Sequence, residues 1–132
     1  MVTTRSKTKS ASMIGVMPGT LYVKIWAFMM VGYAAQMLLI PANMVTDHWD
    51  IASTPEMEFW IRGHAVTIFC EVFLMMNVET AVAAKAALAA SVGIGILYPW
   101  NARFISKLDL KDFHRVPEVA FLALAGMAYL AK

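Results

Sequence analysis

Four apolar runs, at residues 21–40, 57–76, 80–99 and 116–131, fill most of a chain of 132 residues and leave a short polar head and three connectors. A bilayer core about 30 Å thick is crossed by roughly 20 apolar residues in a helix, and inside it every backbone N–H and C=O has to be paired within the segment. Three of the runs meet that length. The fourth, at 16 residues, is short enough to tilt, to thin the bilayer around it or to rest partly in the interface. Composition agrees with this reading: hydrophobic residues make up 60% of the chain and charged ones 15%, too few for the polar shell of a water-soluble core. The expected fold is all-α, an integral membrane bundle of four transmembrane helices, or of three with an interfacial fourth. It occupies residues 21–132 and follows a basic flexible arm in residues 1–20.

The same composition narrows function. A net charge of +2 without a basic stripe interleaved with aromatics gives nucleic acid nothing to bind. Cys70, the one cysteine, falls inside the second run, where it has no disulfide or metal companion and reads as a packing residue. The 11 methionines suit irregular gaps between helices or against a bulky ligand, since no Met-x-x-Met array supported by histidine lies outside the runs. There is no Ser/His/Asp set, no Cys-x-x-Cys, no phosphate-cradling glycine loop and no His-x-x-x-His pair. With aqueous connectors this short, the expectation is a protein that is not an enzyme, with no catalytic residue and no metal centre.

Along the chain, residues 1–12 carry Arg5, Lys7 and Lys9 among hydroxyl residues and no acid, the make-up of a transit-peptide remnant or a mobile basic arm. Thr20 is placed to cap the first span, and Lys24 and Trp26 suit a headgroup interface near its start. Pro41 closes that span or kinks it. Thr54, Pro55 and Glu56 then read as an N-cap, an N1 proline and a first-turn acid opening the second span. Glu58 and Arg62, one turn apart, are set for an i,i+4 pair. The turn at 77–79 makes the second and third spans antiparallel neighbours. Ala83, Ala87, Ser91 and Gly95 recur every four residues and let another backbone approach the third span closely. Tyr98, Pro99 and Trp100 are expected to end that span. The following connector, with Arg103, Lys107, Lys111 and Arg115, has the pattern of an amphipathic helix on the membrane surface. Pro117 and Glu118 open the fourth run in the N1-proline manner.

Within the spans, three residues stand out. Glu71 and Lys85 are each seven residues from Val78, so they reach matching depth on adjacent antiparallel helices. A lone charge there costs at least a few kcal/mol, which favours a Glu71–Lys85 ion pair. His64 lies seven residues before Glu71 on the same helical face. A neutral imidazole beside Gly63, which leaves room for a macrocycle against the backbone, suits an axial ligand for a chlorophyll magnesium; a histidine hydrogen-bonded within the bundle is the other reading. Gln36 and Asn43 are weaker candidates for the same ligation. Two-histidine haem binding lacks a partner at similar depth, because His48 and His114 fall in or beside connectors.

The aliphatic run closing on Pro41, Arg62–Gly63 near the start of the second span, and the Tyr98–Pro99 aromatic-proline end together resemble small four-helix membrane proteins of the DoxX-like type. That resemblance covers most of the chain and implies a four-helix bundle in a redox-active membrane, without catalytic residues to carry over. The physique as a whole leads to an expected role as a non-catalytic accessory subunit of a large bioenergetic membrane complex. The first choice is an algal photosystem with its antenna in the thylakoid, packed against core or antenna subunits, with lipids, carotenoid and chlorophyll as companions. A mitochondrial respiratory-complex subunit of the inner membrane is the first alternative. The second is a small transporter or quinone-handling protein using Glu71, Lys85 and His64, which requires a polar cavity reaching both charges.

Overall fold

The computed structural model describes residues 18–130, and its regular structure is helical throughout, with no strand among the described residues. The arm at residues 1–12 lies outside the described residues. Helix α1 is Gly19–Leu39 and the short α2 is Pro41–Thr46. Helix α3 is Pro55–Met76, and α4 runs Thr80–Ile105. After a 3₁₀ turn at Asp112–His114, α5 spans Arg115–Met127 and tightens into a second 3₁₀ turn at Ala128–Leu130. Three helices, α1, α3 and α4, with 21, 22 and 26 residues, are long and apolar enough to cross a membrane. The 13 residues of α5 rise only about 20 Å, short of a core of about 30 Å.

Several boundaries follow from local chemistry. Thr54 accepts a hydrogen bond from the Met57 N–H at 3.3 Å, with Pro55 at the first helical position and Glu56 and Glu58 in the first turn, as the sequence pattern led us to expect. Arg62 Nη2 pairs with Glu58 Oε2 at 3.3 Å. Thr20 does not cap α1, because the helix already starts at Gly19 and Pro18 stands in the cap position. Pro117 falls at the third position of α5 rather than the first; its missing N–H is still one of the helix's free amino-terminal donors.

The largest departure is in α4, which continues through Pro99 to Ile105 instead of ending there. Proline inside an α-helix removes a donor and presses on the preceding turn. Here the flanking segments Gly93–Leu97 and Asn101–Ile105 widen to π-helix, and that change of pitch carries the helix past the ring. The helix closes at Lys107, whose φ of 52° lets the Leu108 N–H turn back onto the Ala102 carbonyl at 2.9 Å. The expected surface helix is therefore replaced by an extension of α4 followed by a tight connector.

Packing centres on α1. Its buried residues Tyr22, Trp26, Met30, Ala34 and Met37 recur at helical spacing. Opposite them, α3 presents Ala65, Ile68, Val72 and Met75. Trp26 is fully buried in this seam. The stripe Ala83, Ala87, Ser91 and Gly95 is also buried, so the chain's own helices occupy it and another protein does not. A Cβ on Gly95 would stand 3.2 Å from the Leu122 backbone nitrogen and side chain, which shows how closely α5 approaches. Although a short turn joins them, α3 and α4 touch only lightly, while each packs more fully on α1. The outer face carries Phe28, Leu39, Trp60 and Phe73, all more than two-thirds exposed, a surface matched to acyl chains.

Candidate functional site

Helices α1 and α4 deliver their carboxyl ends, and α3 and α5 their amino ends, to one end of the bundle. Two polar connectors meet there. The Asp50 N–H donates to the Asp109 carbonyl at 2.9 Å and the Lys111 N–H to the His48 carbonyl at 3.0 Å, pairing Trp49 with Leu110 in a single antiparallel bridge. The Lys111 Nζ donates to the Thr46 carbonyl at 2.6 Å, so an ammonium satisfies the last turn of α2.

This clasp brings together His48 and His114, 66 positions apart in the sequence, with Nδ1 atoms 3.2 Å apart and both rings almost fully buried, 4% and 3% exposed. Trp49, Tyr98 and Phe113 surround them as an aromatic box. On the far side of His114, Nε2 stands 3.4 Å from Glu118 Oε1, closer to an electrostatic contact than to a good hydrogen bond. Arg103 grips both oxygens of Glu118 with Nη2, at 2.7 and 2.9 Å. Burial is the main force pushing the His48 imidazole below its usual range; His114 adds to it and Asp47 opposes it. Burial likewise lowers His114, with Glu118 raising and Arg103 lowering it further. Both rings are therefore neutral near pH 7, and one Nδ1 has to donate to the other. Sequence reading missed this pair because each histidine lies in its own connector, and neither a spacing nor a motif relates them.

The histidine singled out from sequence sits elsewhere. His64 is exposed, on the flank of the α3 face that packs against α1. Thr67 Oγ1 donates to the His64 carbonyl at 2.7 Å and lies 3.4 Å from His64 Nδ1. The only hydroxyl proton is engaged on the carbonyl, so Oγ1 can offer Nδ1 nothing but a lone pair. At 3.4 Å that contact is weak, and the other ring nitrogen, Nε2, makes no hydrogen bond among the described residues. A Cβ on the neighbouring Gly63 would meet nothing within 4 Å, so the surface beside the ring is open. His64 and Glu71 share a cleft of about 350 Å³ with Tyr33 and Tyr98, between α1, α3 and α4.

Lys85 is not part of that cleft. It lines a separate cavity near the opposite end of the bundle, with Glu79 and the start of α1. The Glu71–Lys85 ion pair is absent from the salt bridges among the described residues. Equal counts from the turn place the two residues at equal depth but do not fix their direction around the helix, and α3 and α4 turn their contact faces to α1 rather than to each other. Gln36 is exposed and lines a third cleft, beside His48; Asn43 is exposed on α2. Neither lines the His64 cleft. Among the described residues no three His, Cys, Asp or Glu side chains converge as metal ligands would.

No family model matches the chain, and no curated protein or solved structure matches it.

Proposed function

We propose that this protein is a non-catalytic accessory subunit of a large bioenergetic membrane complex, a photosystem with its antenna in the thylakoid, and that His64 holds a chlorophyll at its lipid-facing surface. In this reading α5 completes a four-helix bundle, reaching into the bilayer from one side, as the DoxX-like resemblance also implies. The observation that carries the proposal is the placement of His64, an exposed imidazole at a cleft mouth beside the open surface over Gly63. Nε2 of that ring makes no hydrogen bond among the described residues, and a neutral imidazole with a free nitrogen suits a chlorophyll magnesium, which needs one such ligand. The open surface over Gly63 and the adjoining cleft give a flat ring somewhere to rest. The apolar outer faces of α1 and α3 suit pigments, lipids or larger subunits equally well, and the short connectors leave little room for a catalytic centre in water. The buried small-residue stripe on α4 lends no support, because α1 and α5 already cover it.

A transporter using Glu71 and Lys85 is disfavoured, since the two charges line different cavities. The test is an absorption spectrum of the gently solubilised native complex, followed by mass spectrometry of its partners. Chlorophyll together with photosystem core subunits is the expected result. Haem with respiratory subunits would move the protein to the mitochondrial inner membrane, and a colourless, partner-free chain would overturn the proposal.

A further inference from the structure

The cleft between α1 and α5 has the anatomy of a ligand site, and the role proposed for His64 makes no use of it. Its volume is about 320 Å³, at the lower end of small-molecule sites. Along α1 it is lined by Met29, Gly32, Tyr33 and Gln36, at positions i, i+3, i+4 and i+7, so it extends about 10 Å along the helix. Gln36 and His48 place polar groups at the end near the connectors, while Met29 and Phe121 line the apolar end. A molecule filling it carries a polar ring at the interface and a hydrocarbon tail toward the membrane interior.

The imidazole pair decides which polar group that ring carries. Glu118, gripped by Arg103, is a carboxylate, and it faces His114 Nε2. With a carboxylate oxygen 3.4 Å away, a proton on Nε2 is electrostatically favoured over a lone pair, so Nε2 holds the proton of neutral His114 and Nδ1 is its acceptor. His48 then donates from Nδ1 across the 3.2 Å contact. Its own Nε2 is left as an acceptor, with no partner among the described residues, on a ring that lines the cleft.

We propose that this cleft binds the head group of a lipid-soluble hydroquinone, with a ring hydroxyl donating to His48 Nε2 and the tail running between α1 and α5. Gln36 and Tyr33 line the same cleft, and the Gln36 amide offers a second ring oxygen its partner. Glu118 fixes the orientation of both imidazoles, so the site discriminates by redox state: the reduced ring presents a hydroxyl, and the oxidised ring presents a carbonyl lone pair to the nitrogen lone pair. The inference stands on residues other than His64 and does not depend on pigment binding.

The test uses the full chain in lipid nanodiscs with ¹⁵N-labelled histidine, titrated with decylbenzohydroquinone under reducing conditions and separately with decylbenzoquinone. The expected result is a saturable shift of the His48 imidazole nitrogens with no change at His64, and hydroquinone binding at least tenfold tighter than quinone binding. Filling the cleft with Val116→Trp, or with Ala120→Phe as a second variant, abolishes the shift. If neither variant folds, the hydroquinone-to-quinone ratio on the unaltered chain decides. Equal affinity for the two forms, an unsaturable response, or an equal His48 shift with cholesterol, which shares only the hydroxyl, would overturn the assignment.

Discussion

Replacing Glu71 and Lys85 with leucine, singly and together, distinguishes two views of how charge is managed inside this bundle. An ion pair closed to 4 Å at an effective dielectric near 20 is worth about 4 kcal/mol, and breaking a buried pair from one side costs roughly 3–5 kcal/mol. If the two residues were paired, Glu71→Leu would strand Lys85 and destabilise the fold by about that amount, and the double variant would recover most of it. The structure predicts otherwise. Both side chains are exposed, they line separate cavities, and no salt bridge joins them. Residues without shared partners add to within about 0.5 kcal/mol, so the coupling energy of the cycle falls below that value. Glu71→Leu also removes a carboxyl from a span where insertion scales penalise a central charge by roughly 2.5–3.5 kcal/mol, so this variant accumulates at least as well as the parent. The assay is equilibrium unfolding in mixed detergent micelles, run on all four chains. A coupling energy above about 1.5 kcal/mol would refute the reasoning, because contacting pairs alone reach that range.

Other consequences are as direct. Gly95→Ala presses a methyl to 3.2 Å from the Leu122 backbone, an overpacking of about 1–3 kcal/mol, whereas Gly63→Ala meets nothing within 4 Å and gains up to about 1 kcal/mol of helix propensity; unfolding in micelles should place Gly95→Ala below the parent and Gly63→Ala at or above it. Burial holds His48 and His114 below the 6.5 of a free imidazole, so the unfolded chain takes up protons first; stability is full above about pH 6.5 and falls as pH drops through that value, and His48→Phe weakens the dependence in unfolding measured from pH 8 to 5. Removing the cation with Arg103→Gln relieves a repulsion that lowers His114, so its titration by ¹⁵N NMR moves to higher pH; an unchanged or lower midpoint would contradict the geometry of the Arg103–Glu118–His114 chain.

The features legible in the sequence are those governed by local rules. Run length located α1, α3 and the first twenty residues of α4, and the Thr54–Pro55–Glu56 signal placed the start of α3 to within a residue or two. Four-residue spacing correctly identified Ala83, Ala87, Ser91 and Gly95 as a close-packing face, but spacing does not say which helix packs there, and α1 and α5 proved to be the occupants. Proline ends ordinary α-helices, so the pattern at Pro99 predicts a stop; the π segments on either side remove that constraint, and nothing in composition announces a change of pitch. Glu71 and Lys85 show the limit of counting, which fixes height along a helix and not direction around it. His48 and His114 lie further beyond reach, since their pairing depends on two connectors folding onto each other at the end of the bundle.

The central claim is that His64 holds a chlorophyll, and the most direct measurement is the pigment content of the native complex after His64→Leu, normalised to this chain. Among the described residues the His64 ring makes one polar contact, at 3.4 Å to Thr67, and the 2.7 Å bond from Thr67 goes to the backbone carbonyl, which leucine keeps, so the fold and the partner subunits are retained. The account predicts the loss of one chlorophyll per copy, read from the extracted pigment and from a missing component of the red absorption band. An unchanged pigment count in a complex that still contains the variant chain would contradict it.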